Sequence, residues 1–483
     1  MWSSPQFRVE PVPASVFRFI PGAEIASWGK VRAGRELFAA AQCIRCHQPK
    51  GGLARDAAPE LFVTAPDFEN IGDRVEAGWI EKWVRSPQGF CPTIGADQAA
   101  DVAAHLAGKK DAAWSADPVS SDKKVVAEGA ALVEKLHLGF WIEPLTVGRK
   151  HTDGGLVEFL QYPTRHHVDT VFPDVRLTRE ESSRIAAYVR SRQPAALTAK
   201  GGNAAAGGAL VAASCASCHA PKANATPVAA SLEDISRSDW SAKGCVAESR
   251  GRAPDFRFTS EQVAVLGALR NADRDVGLQS LRRFAPAEYA ASQVKALNCV
   301  QCHAGGGENK LPDITFAGEK FDAAWLTKLF AGQHPNKIRP WQEARMPAFA
   351  SRAVNLAAGL AAKQGVSALT PGPAVKAGLA EIGATLAGET GYSCVACHDS
   401  GARKALQVFE GQGPNLQLAG ERLRYDYFQR WMHWPQRIAP ATIMPRYTKD
   451  RDRALLEVHL GGDSARQFEA VWWWMERLGG VAK

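Results

Sequence analysis

Four pentapeptides in this 483-residue chain share one pattern: Cys43-Ile-Arg-Cys46-His47, Cys215-Ala-Ser-Cys218-His219, Cys299-Val-Gln-Cys302-His303 and Cys394-Val-Ala-Cys397-His398. Thiols at i and i+3 with an imidazole at i+4 fall on one face of a helical turn. Such a face can form two thioether bonds to the vinyl groups of a haem while the imidazole ligates its iron. At this chain's cysteine and histidine frequencies, one such pentapeptide arises by chance in roughly one of two hundred chains, so four are not chance. A structural zinc site or a thioredoxin-like dithiol also uses Cys-x-x-Cys. Neither needs a histidine directly after the second cysteine four times over.

An iron held from one side needs a second ligand from elsewhere. Five methionines are present, Met1, Met346, Met432, Met444 and Met475, and two precede proline downstream of a motif: Met346-Pro347 and Met444-Pro445. Gly391 to His398, read with Met444-Pro445, resembles one complete module of a class I c-type cytochrome. The four motifs extend the resemblance from about Lys30 to the end, to multihaem c-type cytochromes built from tandem class I modules. It implies four covalent haems c, with Cys43, Cys46, Cys215, Cys218, Cys299, Cys302, Cys394 and Cys397 as thioether sites. His47, His219, His303 and His398 are then the proximal ligands, and Met346 and Met444 the distal ligands of the third and fourth haems. His/Met ligation raises the reduction potential. Met432 and Met475 read as core filler.

The first two motifs have no local methionine. Eight of the ten cysteines belong to motifs, and the remaining two, Cys91 and Cys245, fall one in each stretch that lacks methionine. Cys91 occupies the residue before a proline, where the third and fourth copies put methionine, and is expected to ligate the first iron. A thiolate donates more charge than a thioether, so that haem should sit lower within the roughly 0.8 V open to axial ligands. For the second iron three sources compete: Cys245 on a bent loop, His166 or His167, or no protein ligand. A Cys91 to Cys245 disulfide, which an oxidising compartment permits, would remove both thiols at once.

The elements that position these groups follow a repeated grammar of lead-in helix, motif, x-Pro loop, N-cap and closing helix. The first cysteines stand at 43, 215, 299 and 394, leaving gaps of 172, 84 and 95. The long first gap is expected to hold a further copy, the alternative being an unrelated helical insert. There Leu138, Trp141 and Ile142 replace the cysteines and histidine, and Phe172 stands in the methionine's place. Thr178-x-x-Glu181 is a capping box ahead of its closing helix. The expected fold is all-α with little β structure: an extended N-terminal arm at 1–29, haem modules at 30–112, 200–275, 284–365 and 372–483, and a haem-less module at 120–196. Closing helices are expected at Asp97–His105, Val263–Leu269, Ala353–Ala362 and Asp450–His459, with a last helix carrying Trp472, Trp473 and Trp474.

The length suits four or five modules of ordinary size. Lys and Arg exceed Asp and Glu by 58 to 50, a formal charge of +8, with no dense basic run, so nucleic acid is not an expected partner. No stretch reaches the roughly 18 to 20 apolar residues that span a bilayer, and no signal peptide opens the chain. Haem attachment of this kind belongs to the export side of a membrane, so a periplasmic or extracellular place is expected. The partner would be a redox protein or a membrane-associated electron-transfer complex, with hetero- or homo-oligomers allowed. Electron transfer is the leading reading. The rivals are a haem enzyme acting on a small sulfur compound or peroxide, and a structural cytochrome subunit using the three tryptophans as a contact.

Overall fold

The alanine-rich segments flanking each motif form helices in the computed structural model. It describes residues 22–50, 58–87, 91, 93–114, 118–219, 229–248, 253–272, 281, 284–303, 311–334, 337–367, 376, 378–406, 411–450 and 452–480. Ten helices carry the architecture: α1 Gly22–Ala40, α2 Ala96–Ala107, α3 Lys123–Lys135, α4 Arg179–Arg192, α5 Ala204–Leu210, α6 Ser260–Asn271, α7 Pro286–Ala296, α8 Ala353–Lys363, α9 Leu379–Ala387 and α10 Ser464–Leu478. Among the described residues the extended structure amounts to isolated bridges, so the fold is all-α.

The helices cross in pairs at glycine. A Cβ at Gly34 of α1 would lie 2.2 Å from the Val265 carbonyl of α6, and one at Gly383 of α9 would lie 1.9 Å from the Ala470 carbonyl of α10. Gly129 meets Arg184 in the α3–α4 pair, Gly207 meets Asp101 in α5–α2, and Gly359 meets Pro286 in α8–α7. A side chain at any of these positions would force the backbones apart. Reciprocal capping boxes, Thr178 with Glu181 and Thr259 with Gln262, start α4 and α6.

The chain divides into two compact units. The first gathers Met1–Val63, Lys82–Ala99 and Ala209–Phe284; the second gathers Thr64–Glu81, Ala100–Gly208 and Ala285–Lys483. In the first, Phe38 and Ile44 share a core with Leu61, Leu232, Leu266, Leu269 and Leu281. The second holds three cores, around Leu138 and Phe172, around Trp325 and Phe349, and around Phe428 and Trp472.

Three expectations change. The stretches 30–112 and 200–275 do not each close on themselves: α1 packs on α6, while Gly207 and Gly208 of α5 pack on Asp101 and His105 of α2. Residues 22–29, expected as part of an extended arm, already belong to α1, and residues 1–21 lie outside the described residues. The helix expected at Asp450–His459 is absent from its described residues because their amides bond across the chain. The Ala454 amide donates to the Gly462 carbonyl and that of Leu455 to Tyr447, both at 2.9 Å, with Gly461 and Gly462 at positive φ making the return.

Candidate haem sites

The first, third and fourth lead-in segments turn sharply before their motifs, whereas the second stays helical through Val211–Cys215 into Ala216–His219. At the turns a non-glycine residue takes the left-handed conformation: Gln42 (φ 55°), Asn298 (φ 53°) and Ser393 (φ 55°) each directly precede a first cysteine. His137 (φ 55°) does the same directly before Leu138. That shared turn puts Leu138, Trp141 and Ile142 at the places of two cysteines and a histidine. Leu138 and Ile142 are buried with Phe172, and Trp141 packs against them. Phe172 also lies 4.7 Å from the Phe159 ring, which stacks on His151.

Three of the motif histidines are oriented by backbone acceptors. Nδ1 lies 2.8 Å from the Ala230 carbonyl in His47, 2.6 Å from that of Pro312 in His303, and 2.7 Å from that of Pro414 in His398. A ring that donates through Nδ1 is the tautomer whose Nε2 carries the lone pair for a metal. Burial holds His303 and His398 below the usual histidine range, which favours the neutral form that ligation requires. Gly413 is needed beside the fourth site, since a Cβ there would sit 2.2 Å from the His398 ring.

On the distal side, Met444 packs against the core that contains Cys394, and the Trp431 indole N–H donates to its Sδ at 3.3 Å. Met346 packs against the core with Cys299. Met432 and Met475 are buried core residues, and Met1 lies outside the described residues. Cys91 is not brought to the first motif. It lies beside Cys215 and Cys218, and burial followed by those two thiols pushes its pKa up to about 11. Cys245 lies beside Cys43, whose pKa is pushed up to about 12 by burial and then by Cys245 and Cys46. Thiols so buried remain protonated unless a metal takes the proton's place. His166 and His167 are engaged elsewhere, with the Asp67 carboxylate at 3.1 Å and the Thr64 carbonyl at 2.8 Å.

Sequence reasoning missed a group of cations next to the third and fourth sites. Arg339 and Arg422 act electrostatically on Lys320, and Arg339 acts on Arg422; Asp313 and Glu421 act on Lys320 and Arg422 in the opposite sense, but among the described residues none of the three cations forms a salt bridge. Arg422 is 9 % exposed and its Nε has no hydrogen-bond partner. Burial, then Arg422 and Arg339, pushes Lys320 down to about 8, and burial with Arg339 pushes Arg422 down to about 10. An antiparallel bridge from Phe321 to Leu423 brings the segments of Lys320 and Arg422 together. Buried cations with no carboxylate in salt-bridge contact fit a cofactor that brings its own, as haem does with its two propionates. The dithiol turns, the oriented imidazoles and this cation group therefore fit haem c. Pro312 and Pro414 follow their histidines at 9 and 16 residues, and the His47 acceptor is Ala230, so neither the acceptors nor the cations carried a readable signal.

The chain matches the cytochrome c family over residues 31–109. No curated protein and no solved structure matches it. Among the described residues, no helix is long and apolar enough to cross a membrane. Over residues 31–109 the chain is thus similar to cytochrome c, a likeness that supports a covalently bound haem c and a role in haem-based electron transfer.

Proposed function

We propose that the chain is a tetrahaem c-type cytochrome passing electrons between redox partners, with His/Met ligation at the third and fourth haems and His/Cys ligation at the first two. The observation that carries this reading is the common orientation of His47, His303 and His398, each with Nδ1 on a backbone carbonyl and Nε2 left for iron. Bound haem supplies one-electron chemistry at its iron. The chain's own part is to fix each imidazole, present a sulfur ligand opposite it, neutralise the propionates and keep water out with aromatic packing.

The segment from about 120 to 196 is a haem-less copy whose Leu138, Ile142 and Phe172 occupy the volume a haem would take. Trp472, Trp473 and Trp474 are buried at 3, 7 and 8 % exposure, so they serve the core around the fourth site rather than a contact surface. The place of action is the export side of a membrane, and the partner is a redox protein or membrane-associated complex.

A pyridine haemochrome titration against protein concentration tests the count, with four haems per chain expected. A weak far-red band in the ferric protein is expected from the Met-ligated haems. Fewer than four haems would break the reading, and high-spin iron that binds cyanide would move it toward an enzyme.

A further inference from the structure

We infer that the two thiolate ligands of the first unit are exchanged between motifs: Cys245 binds the iron held by His47, and Cys91 binds the iron held by His219. This rests on the four-haem reading above and specifies which cysteine serves which haem.

Three independent contacts join the first motif to the stretch that follows the second. The His47 ring is oriented by Ala230, the Leu232 amide donates to the Gln48 carbonyl at 3.1 Å, and Lys50 Nζ meets Asp234 at 2.8 Å. The helices agree, since α1, which leads into Cys43, crosses α6, which follows Cys245 in the chain. Conversely α5, which leads into Cys215, rests its Gly207 against Asp101 of α2, which follows Cys91. The cysteines complete the pattern, with Cys245 at Cys43 and Cys91 at Cys215 and Cys218. The chain leaves its own module only after Val63, since Glu60 and Val63 still contact Arg35, Gln42 and Arg45 of the first.

The fold contains the device that makes such an exchange cheap. The loop after Cys91 lies beside the Pro254 loop that follows Cys245 in the chain, with the Thr93 amide donating to the Asp255 carbonyl at 3.3 Å. The same pairing recurs in the second unit, where the Ala348 amide donates to the Asp174 carbonyl at 2.8 Å. Arg257 and Arg176, two residues beyond those aspartates, share a left-handed backbone at φ 53° and 55°. Neighbouring distal loops of one design, held in contact, offer either motif a nearly equivalent partner, which is the condition for swapping identical elements. The consequence is that the two thiolate haems form one interlocked unit in which neither site is complete without the other's chain.

The test removes one haem and then asks which cysteine the remaining thiolate centre uses. In the full-length protein, Cys43→Ser with Cys46→Ser eliminates the first haem, leaving one low-spin thiolate signal in the ferric electron paramagnetic resonance spectrum. Adding Cys91→Ala should abolish that signal, and adding Cys245→Ala should leave it. The reverse result overturns the exchange while keeping thiolate ligation. A signal insensitive to both substitutions, or no thiolate signal at all, overturns the ligation reading itself. Should the serine variant not fold, carbodiimide cross-linking of the unaltered protein gives a second answer. A zero-length link from Lys50 to Asp234 is expected, whereas links from Lys50 only to Glu60, Asp67 or Glu69 would overturn the exchange.

Discussion

The fourth module and the first unit solve the same problem with different lengths of chain. In the fourth, the acceptor that orients His398 is Pro414, 16 positions away, and Met444 and α10 follow in the same stretch. In the first unit, the acceptor for His47 is Ala230, 183 positions away. Closing the longer loop costs about 2 kcal/mol more by chain entropy, a small sum beside a buried core. The difference teaches that the repeated grammar specifies the local site but leaves open which copy of the far half completes it.

The sharpest break between the two regions is truncation. A chain ending at Gly208 loses Leu232, Leu266, Leu269 and Leu281 from the core around Phe38 and Ile44, at roughly 2 kcal/mol per leucine. Its Cys43 motif should fail to hold haem, as read by haem staining and mass, whereas a chain from Ala285 onward should retain two. Retention of haem at His47 in the shorter chain would mean the first module closes on itself.

Overpacking a helix crossing comes next. Gly383→Val would press on the Ala470 carbonyl and on Trp474, lowering the stability of the fourth site by about 3 kcal/mol in thermal or denaturant unfolding. Gly34→Val should act in the same sense on α1 and α6, and a neutral result would argue against that pairing.

The cation group gives a smaller, pH-dependent effect specific to the third and fourth sites. Lys320, pushed down to about 8 by burial and then by Arg422, is cationic below that pH and neutral above it. A nearby positive charge favours ferrous over ferric iron, and haem propionates beside Lys320 raise its pKa again, so the potential of the adjacent haem should fall as pH rises through a value above 8. Lys320→Met should lower that potential at neutral pH and flatten its pH dependence in a potentiometric titration.

The smallest effect concerns the fourth haem alone. The Trp431 N–H draws electron density from Met444 Sδ, and Trp431→Phe should lower that haem's potential by about 40 mV, the one-electron equivalent of roughly 1 kcal/mol. The first unit should be unaffected.

What could be read from the sequence follows what is local. The motifs, the capping box at Thr178, and the replacement of Cys, Cys and His by Leu138, Trp141 and Ile142 depend on neighbours a few residues apart. The pairing of Cys91 and Cys245 with their motifs is a choice between two chemically similar long-range closures, and local pattern is silent on it. Lys320, Arg339 and Arg422 were equally hidden, because a buried cation looks like a surface one until the bridge from Phe321 to Leu423 places it. The Asp450–His459 segment misled for a related reason: its polarity suits an exposed helix, but its amides are used across the chain.

The most direct measurement is an experimental density map of the haem-loaded protein, with iron located by anomalous scattering. Four irons are expected, with Cys245 Sγ opposite His47, Cys91 Sγ opposite His219, Met346 opposite His303 and Met444 opposite His398. A map showing Cys91 on the iron of His47, or fewer than four irons, would contradict the account.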